Sequence, residues 1–416
     1  MKCLHNILTM LLLLSVVLPS KAQEPVKCRV PAYDFTHFDR NKLIYPGDSS
    51  AMECFFEKLD TLFFTGQGKV NIMHIGGSHV QAGVFSQQMR DNLLNLAPGI
   101  TSGRGLIFPF MKTNTPASYS ISSTGEWSYC RNAVAFDTRL GLAGASVTTC
   151  DTTASFSIVT REKKPRDITP VFDFNYVKIL GYGDKTMTPV VHFNDKIING
   201  LYDEKEGSYT FQLPDYTDSL YVDFNHAEGT FTVTGVYLDN GQPGITYHGI
   251  GVNGARVDSY LNCEDLERDL KLVKPDLVIF GIGINDAAAD TFTKEKFKRD
   301  YDQLIRIIHK VSPDCALLFV TNNDSYKRIK KNKYQVNPNG VLAEEAFMEL
   351  GKKHNAAVWD FFDIMGGLTS MQNWQDENIA QKDKVHFTNN GYTLIGDLLF
   401  NALMDRYMEH LKTHKL

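Results

Sequence analysis

The chain runs to 416 residues, 43% hydrophobic and 22% charged, which is enough apolar material for a sizeable core and for two or three domains. With 43 basic and 48 acidic residues the net charge is -5, and no long run of either sign stands out, which argues against a nucleic-acid groove or a polybasic membrane patch.

Lys2 precedes an apolar run from Ile7 to Leu18, followed by Ser20-Lys21-Ala22. These are the three parts of a secretory signal peptide over residues 1–22, with cleavage expected after Ala22 and export to a periplasm or beyond. No later segment reaches the roughly 18 apolar residues of a transmembrane helix. Cys28 follows Pro25-Val26-Lys27 rather than the small residues of a lipoprotein site, so a lipid anchor is not expected. Six cysteines remain after the leader, Cys28, Cys54, Cys130, Cys150, Cys263 and Cys315; Cys28–Cys54 and Cys130–Cys150 are the local pairings, and free thiols fit equally well.

Ala51 to Phe64 has helical spacing through Met52, Phe55, Phe56, Leu59 and Leu62. Val70, Ile72, Met73 and Ile75 then make a short apolar strand that ends at Gly76-Gly77-Ser78, and Phe85, Met89 and Leu93 follow at helical spacing. This strand, tight turn and helix would set Ser78 at the carboxyl end of a parallel strand, where open α/β sheets bind their ligands. Ala97-Pro98-Gly99 breaks the helix, Ser102 to Gly105 reads as a loop, and Arg104 reads as structural. From about Thr113 to Gly241 alternating runs such as Phe156/Ile158, Val177/Ile179, Tyr209/Phe211/Leu213, Leu220/Val222/Phe224 and Phe231/Val233 predict an all-β sandwich. Beyond it the α/β texture returns, with strands at Asp276–Phe280, Ala316–Val320 and Ala357–Asp360 and helices at Phe292–Val311, Val341–Lys353 and Asn390–Leu411. The expected layout is a discontinuous α/β domain over 23–112 and 244–416, interrupted by a β-sandwich over 113–243.

Three further stretches carry chemistry. Asn285, in Gly281-Ile282-Gly283-Ile284-Asn285-Asp286, lies just past a strand on the same sheet edge as Ser78, where its amide can donate to an oxyanion. Gly249-Ile250-Gly251-Val252-Asn253-Gly254-Ala255 reads as a glycine-rich loop whose N–H groups are free to meet an anion. In Asp383-Lys384-Val385-His386 the three-residue step brings carboxylate and imidazole together in one turn, so that Asp383 fixes the tautomer of His386 and the other ring nitrogen takes a proton from Ser78.

At these residues the chain resembles the SGNH/GDSL hydrolases, whose four marker blocks centre on Ser, Gly, Asn and His, here Ser78, Gly254, Asn285 and His386. The resemblance implies a flavodoxin-like three-layer α/β/α hydrolase, an acyl-enzyme on Ser78, and an oxyanion hole from the Ser78 and Gly254 N–H groups with the Asn285 side chain. It covers about 23–112 and 244–416, and it departs from the family pattern at Gly77, where Asp is usual. The Gly-Ser-His-Val-Gln block and the interrupting β segment are also similar to bacterial peptidoglycan O-acetylesterases, which implies an acylated carbohydrate as substrate; other exported members of the superfamily deacetylate plant polysaccharides. A glycan-binding protein with a degenerate hydrolase domain is the alternative.

Taken singly, Ser78 and Gly254 read as turn residues, Asn285 and Asp286 as a helix cap, and Asp383 with His386 as a surface ion pair. His74, His79 and His248 lie near the blocks without metal-ligand spacing, so neither metal nor cofactor is expected. Val80 replaces the second glycine of a Gly-x-Ser-x-Gly elbow, which argues against an α/β-hydrolase. Trp127, Tyr119 and Tyr129 fit either a sugar-stacking face or core aromatics. The oligomeric state is not legible.

Overall fold

The computed structural model describes residues 27–96, 100–111, 118–134, 137–160, 172–225, 228–331 and 333–414. The expected signal peptide lies outside them. Among the described residues no helix is long and apolar enough to cross a membrane.

One seven-stranded sheet organises the chain, in the order Leu43–Ile44, Ala357–Trp359, Ala316–Val320, Leu277–Gly281, Lys69–Gly76, Gly244–Gly251 and Thr101–Gly103. Every pairing is parallel except that of the short Leu43–Ile44 edge. Numbered along the chain, the five main parallel strands run 2-1-3-4-5, the flavodoxin-like order, with the switch point between Lys69–Gly76 and Leu277–Gly281.

Both faces of these strands are buried, which is why they read as apolar runs rather than clean alternation. Val70, Ile72, Leu277 and Ile279 belong to a core shared with helices Glu53–Thr65, Val84–Leu94 and Asn389–His414. Met73, Ile75, Val278 and Phe280 face the other way, against Leu266–Val273, Lys294–Val311 and Asn339–Lys353. The result is the expected three-layer α/β/α arrangement.

Between Gly105 and Asp239 lie two antiparallel sheets, one in the order Lys196–Asn199, Pro189–Phe193, Ser219–Phe224, Ser155–Val159 and Ser120–Thr124. The other is built on Phe174–Gly183 and Phe231–Asp239. Phe156, Ile158, Leu220 and Val222 of the first and Val177, Ile179, Phe231 and Val233 of the second share one core, as two sheets packed face to face require. Gly105–Ile107, read from sequence as loop and buried end, pairs with Phe231–Asp239. Arg104 is structural, as expected: buried, it donates to the carbonyls of Thr160 and Ser118.

The sandwich is docked firmly onto the α/β layer. Leu140, Leu142, Leu180 and Tyr237 enter the core beside Leu266 and Leu270. Buried Asp269 accepts the Leu142 N–H at 2.8 Å and pairs with Arg268, and burial pushes its carboxyl up to about 6.

Two sequence readings need correction. The segment after Ser78 is not one helix: Gly83, at φ +79°, separates Ser78–Gln81 from Val84–Leu94. Gly249 to Gly251 are not loop but the end of an eight-residue strand. Those glycines serve close packing, since a Cβ on Gly251 would lie 2.3 Å from the Gln81 nitrogen, and a strand and a helix can come that near only where no side chain intervenes. Of the two readings of Trp127 and Tyr119, the structure bears out core aromatics: both are buried, Trp127 against Phe156 and Phe224. All six described cysteines are free.

Candidate active site

Gly76, Gly251 and Gly281 stand side by side in register at the carboxyl edge of the sheet. Each strand therefore releases its loop at the same height, and Ser78, Gly254 and Asn285 follow two, three and four residues later. The Gly76 carbonyl ties the edge together by accepting from the Val252 N–H at 3.3 Å and the Tyr260 hydroxyl at 2.8 Å. A Cβ on Gly76 would sit 2.3 Å from the Val80 side chain, so the turn that presents Ser78 closes only with glycine there.

Ser78 opens its short helix, and the first N–H groups of a helix have no intrahelical acceptor. Neither the Ser78 N–H nor the Gly254 N–H meets an acceptor among the described residues. Gly254 is held at φ +83°, a backbone conformation that favours glycine. The Asn285 amide donates to the Ala255 carbonyl at 3.0 Å, which fixes the side chain and leaves its second hydrogen available. A Cβ on Gly77 would lie 3.2 Å from Asn285 Nδ2. The departure at Gly77 therefore gives the Asn285 amide room directly over the turn that carries Ser78.

The fourth component arrives from the loop before the closing helix. His386 Nε2 lies 2.7 Å from Ser78 Oγ, and Nδ1 lies 2.7 Å from Asp383 Oδ2. Asp383 Oδ1 accepts the N–H groups of Val385 and His386, both at 3.0 Å. Burial alone would raise the Asp383 carboxyl, but the hydrogen bonds from the His386 ring and from these N–H groups prevail and hold it at about 2. The turn is closed by Gln381, whose N–H donates to the His386 carbonyl at 2.8 Å. Lys384 at its apex has φ +57°, an uncommon conformation for a residue with a side chain. Its ammonium group bonds Gln372 and lies over the Tyr326 ring, which anchors the turn.

The structure thus brings all five residues singled out from sequence to one edge. Asp286 does not join them: it is buried and accepts the Val257 N–H, a helix-capping role. His74 and His248 are buried structural groups, bonded to the Tyr247 hydroxyl and the Leu106 N–H.

Sequence reasoning weighed His79 only as a metal ligand and passed over Tyr392. The His79 ring lies 5.2 Å from that of His386 and is held by the Tyr392 hydroxyl at 2.9 Å. Burial first, and then the neighbouring His386, push its pKa down to about 3, so His79 stays neutral beside the working imidazole. A signal was present, since His79 follows Ser78 directly and Tyr392 lies six residues past His386 in the closing helix. Also passed over was the hairpin Tyr326–Lys330/Lys333–Val336, whose Tyr326 N–H donates to the Lys384 carbonyl at 3.1 Å.

Chemically the edge offers a hydroxyl bonded to an imidazole, a carboxylate behind that imidazole, and three N–H donors converging from separate loops. The sequence profile described as the GDSL-like lipase/acylhydrolase family matches residues 217–394. That span holds Gly254, Asn285, Asp383 and His386 and stops short of Ser78, which the β sheets separate from the rest in sequence. No curated protein sequence matches the chain. Among solved structures, a peptidoglycan O-acetylesterase is 19% identical, covers 88% of this chain and 99% of its own, and has a TM-score of 0.72, a likeness of fold through nearly the whole molecule. An acetyl xylan esterase, AlAXEase, is 22% identical over 38% of this chain and 80% of its own, with a TM-score of 0.30. A family two carbohydrate esterase from Cellvibrio japonicus is 10% identical over 69% and 99%, with a TM-score of 0.27. Residues 217–394 thus match the GDSL-like lipase/acylhydrolase family, which supports an ester-hydrolysing enzyme.

Proposed function

We propose that the protein is an exported esterase that removes O-acetyl groups from a carbohydrate polymer, with peptidoglycan as the leading substrate, through an acyl-enzyme on Ser78. The unbroken chain from Ser78 Oγ through His386 to Asp383, 2.7 Å at each step, carries this reading. Ser78 Oγ attacks the ester carbonyl while His386 Nε2 takes its proton, and Asp383 keeps the ring proton on Nδ1. The tetrahedral oxyanion accepts from the Ser78 and Gly254 N–H groups and from Asn285 Nδ2. His386 returns the proton to the leaving sugar oxygen, releasing it as the hydroxyl, and water then releases acetate by the reverse roles.

In this reading residues 113–243 form a module inserted into the hydrolase domain to help place the glycan. What supports it is position: a Cβ on Gly254 would come within 3.5 Å of the Ala133 Cβ, so a loop of the sandwich borders the oxyanion residue. Binding energy from remote sugar units can then orient the ester. The test is acetate release from O-acetylated peptidoglycan, with the same polymer de-O-acetylated by mild alkali as control. Release from the first substrate alone is expected. Hydrolysis of a small aryl acetate with no release from the polymer would reject the carbohydrate assignment, and loss of both would reject the acyl-enzyme.

Asn285→Ala is expected to lower kcat on the aryl acetate by roughly 10²–10³ with little change in KM, because the amide meets negative charge mainly in the transition state. An effect confined to KM would mean that Asn285 only binds the ground state.

A further inference from the structure

The hairpin beside the candidate catalytic turn concentrates positive charge in a chain whose net charge is -5. Residues 325–336 read Ser-Tyr-Lys-Arg-Ile-Lys-Lys-Asn-Lys-Tyr-Gln-Val, five cations and no acid, a cluster that the composition as a whole conceals. Lys327 pairs with Asp290. Arg328, Lys330, Lys331 and Lys333 are exposed and meet no carboxylate among the described residues. Lys330 and Lys333 even stand opposite each other across the ladder, a like-charge pairing that weakens a hairpin.

Charge held against hairpin stability calls for something outside the hairpin to offset it. The hairpin also adjoins the candidate catalytic turn. It leaves the sheet just after strand Ala316–Val320, and its Tyr326 is bonded to Lys384, in the turn between Asp383 and His386. Asn323, just ahead of it, donates to the Val385 carbonyl at 3.1 Å.

From this juxtaposition we infer that Arg328, Lys330, Lys331 and Lys333 form a binding arm for the carboxylates of an anionic glycan, drawing a negatively charged acetylated polymer rather than a neutral one across Ser78. The inference rests on the esterase reading above and adds to it the charge class of the substrate. A basic rim raises the local concentration and on-rate of an anionic polymer without touching the chemistry, and salt weakens it. The competing account is that the lysines merely keep an exposed two-stranded edge from pairing with other chains. That account gives no dependence on ligand charge.

The test separates binding from catalysis. Affinity of the full-length protein for unacetylated polygalacturonate and for neutral dextran is measured by affinity electrophoresis at 50 and 500 mM salt, and turnover of a small aryl acetate is followed in parallel. Expected are retention by polygalacturonate and not dextran, loss of that retention at high salt, and a reduction of roughly tenfold or more in affinity for R328Q/K330Q/K331Q/K333Q with aryl acetate turnover unchanged. Equal retention by both polymers, a variant that binds polygalacturonate as wild type does, or tighter binding to phosphatidylglycerol vesicles or duplex DNA than to polygalacturonate overturns the inference. Should the fourfold variant misfold, the salt and polymer comparisons on the unaltered protein still decide. Absence of aryl acetate turnover would count against the esterase reading instead, whatever the arm binds.

Discussion

Ser78→Ala is expected to lower kcat on a small aryl acetate by roughly three to six orders of magnitude, His386→Ala by a similar factor, and the double variant by little more than either. The non-additivity is the informative part. Ser78 Oγ and His386 Nε2 share one hydrogen bond of 2.7 Å, so removing either partner ends the same proton transfer, and the second removal finds nothing left to disable. What remains in both single variants is the set of N–H donors on Ser78, Gly254 and Asn285, which still polarise an ester toward attack by water. Multiplicative losses in the double variant would mean that the two residues act in separate steps. A serine-directed phosphonate that labels the wild-type protein elsewhere than Ser78 would reject the assignment outright.

How much of this was legible in the sequence depended on whether a feature is local. The strand before Ser78 and the Asp383-x-x-His386 turn are set by neighbours in the chain, so alternation and a three-residue step located them. That the sheet is parallel and covered on both faces followed from alternating strands and helices of ordinary length, whereas its flavodoxin-like order was implied only by the family resemblance. Gly249 to Gly251 misled because glycine was read as backbone freedom, whereas at Gly251 it answers a contact with the Gln81 nitrogen, more than 150 residues away in sequence. The hairpin at 326–336 escaped because its charges hide the alternation that would mark strands. The approach of His79 to His386 is likewise a product of distant packing, across more than 300 residues.

The conservative replacement Asp383→Asn is expected to reduce kcat by about 10⁴, close to the effect of losing the base altogether, though it keeps shape and hydrogen-bonding capacity. The backbone dictates the outcome. Oδ1 receives two N–H donors, from Val385 and His386, so an asparagine must keep its oxygen there, because an amide NH₂ would meet both donors head-on. Its NH₂ is then forced into the place of Oδ2, 2.7 Å from His386 Nδ1. An N–H at that position needs a lone pair on Nδ1, which moves the ring proton to Nε2, where it points at Ser78 Oγ. The imidazole would offer the serine a hydrogen when the reaction requires an acceptor. KM and thermal stability should hardly change, since the turn keeps its backbone hydrogen bonds. Asp383→Ala, which removes those bonds as well, should lower the melting temperature in addition to kcat. In the wild type the depressed pKa of Asp383 means that its stabilising contribution is present above the ordinary carboxylate range and is lost only as pH falls toward about 2, so protonation of Asp383 does not account for any loss of activity above pH 4. An Asp383→Asn variant within tenfold of wild-type kcat would show that the carboxylate does not set the tautomer.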